Sequence, residues 1–186
     1  MRAVIAGFCV CMTLFAAPQL WAQQNNPKKR NSPVGLANFK KGDFYAKVTY
    51  GRPFMKYEKS YPFGYNVPWG KIWRTGDDGA TEVTLTRPVT INGERLEAGT
   101  WALFTIPREE EPWTIIFNNE PGQWGLYNYD PEKDVLRTEV APYKVPGQIR
   151  EMTMFFQESE KGADLFLLWD KTSLRIPMEF ISENQP

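Results

Sequence analysis

Hydrophobic and polar residues alternate along most of this chain with a period of two, as they do in β-strands. The clearest case is SLRIPMEF, in which Leu174, Ile176, Met178 and Phe180 share one face. That alternation is typical of a strand with one buried and one exposed face. Further short segments rich in β-branched and aromatic residues predict strands in the same way: YAKVTY, TEVTLT, TWALFTI, WTIIF, DVLRTEV, MTMFFQ and DLFLLW.

Turn signals separate these segments at short intervals. Within VTINGERLEAGTWALF, Asn92-Gly93 predicts a two-residue hairpin, because both residues tolerate the positive φ angles of a type I′ turn. No segment keeps a helical period for long. The pattern therefore predicts an all-β fold, a single antiparallel β-sandwich of about nine or ten strands, either jelly-roll-like or immunoglobulin-like.

The two ends of the chain depart from this pattern. Residues 1–22 combine an arginine near the start, an uncharged apolar run and a small-residue cleavage motif, which is the layout of a secretory signal peptide. Residues 23–37 are polar and contain proline, and they predict a flexible tether. The sandwich is expected over residues 38–181, with a tail at 182–186. We expect an exported protein, periplasmic or extracellular, without a membrane span after cleavage.

Removal of the leader restricts the chemistry of the mature chain. Both cysteines, Cys9 and Cys11, lie in residues 1–22, and the chain has no histidine. Catalysis by a serine or cysteine with a histidine base is therefore excluded, as are zinc sites built from cysteine and histidine. We expect neither a cofactor nor a metal. The 22 basic and 22 acidic residues balance, whereas a nucleic-acid-binding protein usually shows a basic excess.

The segment WGKIWRTGDDGATEVTLT concentrates polar and aromatic residues around a glycine turn. If KIWRT is a strand, Ile72 and Arg74 share one face and Trp73 lies on the other, so neither face is plainly exposed. Arg74 can form a buried ion pair that only fixes the loop. It can also line a concave surface and bind a carboxylate, a sulfate or a sugar hydroxyl. Both alternatives stay open at this point.

Two long connections rich in aromatic residues, 54–70 and 118–134, do not have the pattern of strands. Long ordered connections often carry function, although their aromatic residues can equally close the core. Aromatic rings in the second connection suit stacking on sugars. No catalytic residue is assigned, and the candidate ligand-binding residues are Arg52, Lys71, Trp73, Arg74, Asp78, Trp124 and Tyr127.

Five blocks occur in a familiar order: YGRP, VPWGKIWRTG, AGTWALFTIP, WTIIFN and WGLYNYDPEKDVL. In these blocks the chain resembles a family of small exported Bacteroidota proteins catalogued as domain of unknown function 2911. The resemblance spans roughly residues 40–180 and implies an exported β-rich domain with no established activity. An asparagine-synthetase label carried by some members has no support here, because the mature chain lacks the cysteine nucleophile that glutamine hydrolysis needs.

The resemblance has one departure beside the WRTG block. The family usually continues with Ala-Asn-Glu-Ala-Thr, whereas this chain has Asp77-Asp78-Gly79-Ala80-Thr81. A functional glutamate of the family would be missing at Gly79, and Asp77 or Asp78 would have to replace it.

These features favour a non-catalytic binding module of the cell envelope with a glycan or a small anionic ligand. A hydrolase that uses a carboxylate pair such as Asp78 and Glu82 stays open, although no spacing singles out such a pair. A structural envelope protein that binds a protein partner also stays open, and the oligomeric state is not predicted.

Overall fold

The computed structural model describes residues 29–57 and 61–181. In this part of the chain there are ten β-strands and one 3₁₀-helix, Pro131–Lys133, and no helix is long and apolar enough to cross a membrane. The signal peptide predicted for residues 1–22 and the predicted tail lie outside the described residues. The strands are β1 Val34–Lys41, β2 Phe44–Gly51, β3 Thr81–Leu85, β4 Val89–Ile91, β5 Glu94–Leu96, β6 Gly99–Ile106, β7 Trp113–Asn118, β8 Asp134–Val140, β9 Tyr143–Ser159 and β10 Gly162–Phe180.

The strands form two antiparallel sheets. One has six strands in the order β1-β2-β3-β6-β7-β8, and the other has four in the order β5-β4-β10-β9. Their inner faces share one hydrophobic core. The predicted all-β antiparallel sandwich of nine or ten strands is confirmed, as an open sandwich-like arrangement.

The alternating residues of each strand build this core. In β2, Phe44, Ala46 and Val48 are buried, and the residues between them are half-buried. In β10, Leu174, Ile176 and Met178 are buried as the sequence predicts. Burial of each such side chain stabilises the fold by about 1.5–3 kcal/mol before the loss of chain entropy is counted.

Strand β10 doubles back on itself. The N–H of Phe180 donates to the carbonyl of Lys161 at 2.9 Å, and Arg175 donates to Asp164 at 2.6 Å. Residues near the start and the end of β10 are therefore neighbours. The backbone turns around Asp170, which has a φ of 54°. DLFLLW and SLRIPMEF, predicted as two strands, thus form two adjacent arms of one continuous element.

The β4–β5 hairpin is the one that the sequence predicts. Asn92 and Gly93 have φ angles of 52° and 86°, as the predicted turn requires. The predicted tether, in contrast, ends earlier than expected. Strand β1 begins at Val34 because residues 34–37 pair with β2, from Val34 opposite Gly51 onward.

Loops cover part of the outer face of the six-stranded sheet. Phe104 of β6 and Ile116 of β7 are buried on that face, in a second hydrophobic cluster. Ile72, just before the WRTG segment, and Tyr129, in the second long connection, pack against this cluster. This packing fixes the WRTG segment and the second long connection on the sheet.

Candidate functional site

A cavity of about 630 Å³ lies beside the WRTG segment. Its walls come from residues 31–33, residues 52–57, residues 65–67, the loop 73–77 and Trp169 of β10. Its size falls in the usual range for small-molecule sites, about 300–1,000 Å³. The cavity therefore has room for one or two sugar rings or a molecule of similar size.

A second hollow, of about 790 Å³, lies on the outer face of the four-stranded sheet. Several of its charged lining residues form ion pairs. Arg175 meets Asp164 at 2.6 Å, and Lys161 meets Glu179 at 3.5 Å. Its described lining is acidic overall, with four acidic residues against two basic ones, and none of the candidate residues from the sequence lies in it.

The WRTG segment, residues 73–76, lies beside β6 but does not form a strand. Trp73 exchanges two backbone hydrogen bonds with Thr105, at 2.7 and 2.9 Å, and this bridge is isolated. Ile72 faces the outer cluster and Trp73 faces the main core, so both faces of the segment are covered. The strand predicted for KIWRT is thus reduced to a single bridge, because the chain turns at Thr75.

The turn itself is conformationally costly. Thr75 and Asp78 have φ angles of 55° and 62°. A buried β-branched residue rarely adopts this region, at a cost of about 1–3 kcal/mol. Hydrogen bonds compensate, since the Thr75 hydroxyl donates to Thr105 at 3.2 Å and the Thr75 carbonyl accepts from Thr81 at 2.7 Å. The strained turn places Arg74 and Asp77 at the cavity wall.

Gly51 allows this turn to approach β2. The carbonyl of Gly51 accepts a hydrogen bond from the N–H of Asp77 at 3.3 Å. A side chain at position 51 would overlap the carbonyl oxygen of Asp77. The glycine of the YGRP block therefore permits backbone contact where any side chain would separate the two segments.

Arg74 and Asp77 form an ion pair in the cavity wall. The guanidinium donates to the Asp77 carboxylate at 2.5 Å, and each side chain is 29% exposed. Burial by itself would raise the pKa of Asp77, but hydrogen bonds from Ser32 and then Arg74 outweigh it and hold that pKa below its ordinary value. The Nε atom of Arg74 is buried and has no hydrogen-bond partner in the described chain. The pair is thus a part of the cavity wall with one donor unused.

The Asp78 carboxylate, in contrast, binds the segment that precedes β1. The N–H groups of Asn31 and Ser32 donate to Asp78 Oδ2 at 2.8 and 3.0 Å, and the Asn31 amide donates to Oδ1 at 3.3 Å. The Nε of Arg30 lies 3.8 Å from Asp78 Oδ2. Asp78 is buried under this segment, which we call the N-terminal strap (residues 30–33) and which forms one wall of the cavity.

Tryptophans form the cavity floor. Trp73 and Trp169 are both buried and stack with their ring centroids 6.0 Å apart. The indole N–H of Trp73 donates to the Gly76 carbonyl at 2.9 Å, whereas the indole N–H of Trp169 is buried without a partner in the part of the chain that is described. The floor is thus apolar, and the indole N–H of Trp169 lies buried within it.

Exposed aromatic residues stand at the cavity rim. Tyr57 is 74% exposed, Tyr65 is 82% exposed and Phe54 is 54% exposed. Arg150 lies over the Phe54 ring, with its guanidinium carbon 5.0 Å from the centroid, and so holds that ring at the rim. These residues come from the first long connection, whose richness in aromatics was the only sequence signal for them.

Arg52 anchors the opposite wall to β9. Its Nε donates to the carbonyl of Met152 at 3.1 Å, and its Nη2 lies 3.2 Å from both the Thr153 hydroxyl and the Glu151 carboxylate. Arg52 also lines the cavity. Its charge is largely used within the protein, so it positions the wall more than it offers a free contact.

The predicted candidates separate into groups. Arg52, Trp73 and Arg74 line the cavity, and Asp78 lies behind the strap. Trp124 lines a small adjoining hollow, where the Arg30 guanidinium lies 5.9 Å from its ring centroid. Lys71 and Tyr127 are exposed and do not line the cavity. Sequence reasoning named none of the rim tyrosines, Asp77 or Trp169 as ligand-binding candidates.

The second long connection is held by polar contacts. Tyr129 packs against Phe104 and donates to Asp134 at 2.7 Å, while Arg137 donates to the Tyr129 hydroxyl at 2.9 Å. Burial first, and then the hydrogen bond to Asp134, raise the pKa of Tyr129 to about 12. This part of the connection closes the outer cluster, as the alternative interpretation of its aromatics expects.

The carboxylates considered for hydrolysis have structural partners. Asp78 accepts from the strap, and Glu82 accepts from the N–H of Gly122 at 2.7 Å. Asp77 is the one acidic residue among the cavity-lining residues described. No group of three or more acidic, histidine or cysteine residues that could hold a metal ion occurs in residues 29–57 and 61–181.

A protein-family model matches nearly the whole β-sandwich. Residues 32–178 match the model of a family described as protein of unknown function (DUF2911). The chain belongs to the DUF2911 family. The region of this DUF2911 chain that matches begins at Ser32, inside the strap, and ends within β10. None of the curated proteins and none of the solved structures compared with it matches. The family description names no activity.

Proposed function

We propose that this protein is a non-catalytic binding module of the cell envelope, and that it holds a glycan in the cavity beside Arg74. The observation that carries the proposal is the cavity of about 630 Å³, in whose lining the exposed rings of Tyr57 and Tyr65 lie beside polar side chains such as Asn66 and Arg74. Sites for small molecules typically combine apolar or aromatic walls with a few polar groups that orient the ligand.

The rim supports a sugar as that ligand. Exposed flat rings such as those of Tyr57 and Tyr65 suit the apolar face of a pyranose, while the sugar hydroxyl groups can hydrogen-bond to polar lining residues such as Asn66. The location in the envelope is proposed from the signal-peptide pattern of residues 1–22.

Binding is favoured over hydrolysis by the acid count of the cavity. A glycosidase needs two carboxyl groups on opposite sides of the sugar, roughly 5–10 Å apart. Among the described lining residues only Asp77 is acidic, and it is already paired with Arg74 and Ser32. The second carboxylate that this mechanism requires is therefore missing from the described part of the lining.

The test is a glycan panel measured by isothermal titration calorimetry on the mature chain. Arg74→Gln and Tyr65→Ala should each weaken binding roughly tenfold or more, equal to about 1.4 kcal/mol. The matched controls are Arg87→Gln and Tyr127→Ala. Arg87 is in a surface pair with Asp43, also at 2.5 Å, and Tyr127 is 84% exposed, close to the exposure of Tyr65.

Retained affinity in the controls and lost affinity in the cavity variants would support the proposal. No binding to any glycan in the panel would overturn it, as would equal losses in control and cavity variants. Release of product from a bound glycan would show that the module is catalytic and would contradict the proposal directly.

A further inference from the structure

The charges around the cavity select among glycans. We infer that the cavity takes anionic glycans, in which the sugar carries a carboxylate or a sulfate, in preference to neutral ones. The inference rests on the proposed function and deepens it, since it assigns the chemical class of the sugar. It starts from the described residues of the cavity lining, among which three are basic, Arg52, Lys56 and Arg74, and one is acidic, Asp77.

This basic excess is local. The whole chain has 22 basic and 22 acidic residues, so no general positive charge would attract anions to every surface. The larger hollow on the four-stranded sheet shows the contrast. Its lining has Glu158, Glu160, Asp164 and Glu179 against two basic residues, so it is acidic overall. The described lining of the smaller cavity, in contrast, combines an aromatic rim with a positive balance.

Internal pairing leaves some of this positive charge available. Asp77 neutralises Arg74, and Glu151 neutralises Arg52. Lys56 is exposed and forms no ion pair with another described residue. Next to Lys56, Arg150 donates to the Met55 and Lys56 carbonyls and adds another positive charge near the rim. An anionic group on a bound sugar would meet the Lys56 ammonium, with the Arg150 guanidinium nearby.

The charge on both partners strengthens such a contact. Hydrogen bonds between ionised partners are roughly twice as strong as neutral ones. Neutral sugars would use the aromatic rim but would leave Lys56 without a counter-charge. The expected selectivity is therefore roughly tenfold in affinity.

The experiment compares matched sugars by isothermal titration calorimetry on the mature chain. One pair is an oligogalacturonate and the same oligosaccharide with its carboxyl groups methyl-esterified. The other is a sulfated galactan oligosaccharide and its desulfated form, which carry no carboxyl group and therefore test sulfate recognition separately from carboxylate recognition. The acidic member of at least one pair should bind roughly tenfold more tightly, and its advantage should shrink as salt rises.

Lys56→Gln should reduce the acidic-to-neutral affinity ratio several-fold, whereas Lys40→Gln, at an exposed lysine of β1 outside the cavity, should leave that ratio unchanged. Equal affinity for the acidic and neutral members of both pairs would overturn the inference and leave glycan binding intact. A ratio that Lys40→Gln lowers as much as Lys56→Gln would also overturn it. Absence of binding to every sugar would instead defeat the proposed function itself.

Discussion

The indole rings of Trp73 and Trp169 stack at the floor of the cavity, with centroids 6.0 Å apart and planes inclined by 19°. Trp73 belongs to the loop beside β6, and Trp169 belongs to β10, so the stack joins the two sheets. Phe63 of the first long connection meets both rings edge-on, at 5.7 and 5.6 Å. The cavity floor is therefore a part of the hydrophobic core.

Trp73→Ala should lower the free energy of unfolding by about 3–5 kcal/mol, the usual cost of removing a buried large aromatic residue. The loss includes the indole hydrogen bond to Gly76. Urea denaturation would measure it. Trp124→Ala is the control, because Trp124 is only half-buried and lies outside the main core. Similar losses in both variants would contradict the role assigned to Trp73.

Asp78→Gly should release the N-terminal strap without straining the backbone, because glycine readily adopts the φ of 62° at this position. Loss of the carboxylate leaves the N–H groups of Asn31 and Ser32 without their acceptor, at a cost of about 1–3 kcal/mol. Hydrogen exchange should quicken in residues 29–33 and stay slow in β2. Asp43→Gly, at a surface pair, should have no such effect. Unchanged exchange in Asp78→Gly would contradict the role of Asp78.

Asp77→Asn should destabilise the protein at pH 7 but not at strongly acidic pH. The pKa of Asp77 is held below its ordinary value of 3.8, so its ionised form stabilises the fold above that pH. This contribution, about 1 kcal/mol for a side chain that is 29% exposed, is lost as pH falls through the lowered pKa. Thermal unfolding of both proteins from pH 7 to pH 2 would measure it. A difference in stability that stays constant with pH would refute the prediction.

Tyr129→Phe should lower the free energy of unfolding at pH 8 by about 1 kcal/mol, because it removes the hydrogen bond to Asp134. The pKa of Tyr129 is raised from 10.0 to about 12, so the stabilisation is complete below pH 10 and is lost as pH rises through 12. Ultraviolet titration should show a late phenolate step that the variant lacks. Tyr127→Phe, on the same connection, is the control, and a late step that survives in Tyr129→Phe would count against the assignment.

Much of the fold was predictable because its signals are local. The alternation of Leu174, Ile176 and Met178 and the Asn92-Gly93 turn depend on neighbours in sequence, and the structure confirms both. The start of β1 was missed because Val34 and Leu36 are exposed on an edge strand. Only pairing with β2, some 17 residues away at Gly51, shows that residues 34–37 belong to the sheet.

The candidate site was predictable only in part. The WRTG segment does lie at the cavity, but the open question about Arg74 has a mixed answer: the residue pairs with Asp77 and lines the cavity as well. The sequence predicts Trp124 and Tyr127 as residues that stack on a ligand, whereas the exposed tyrosines at this cavity are Tyr57 and Tyr65. Both connections are rich in aromatic residues, and composition cannot tell which one borders a cavity.

The sequence by itself determined the all-β class, the hairpin turn and the absence of histidine, because each of these depends on residue type or on short-range spacing. Tertiary structure decided the rest. Asp78 meets Asn31 across 47 positions, and Trp73 meets Trp169 across a still longer separation. Such contacts arise from sheet order and from the close backbone approach at Gly51, which no local pattern encodes.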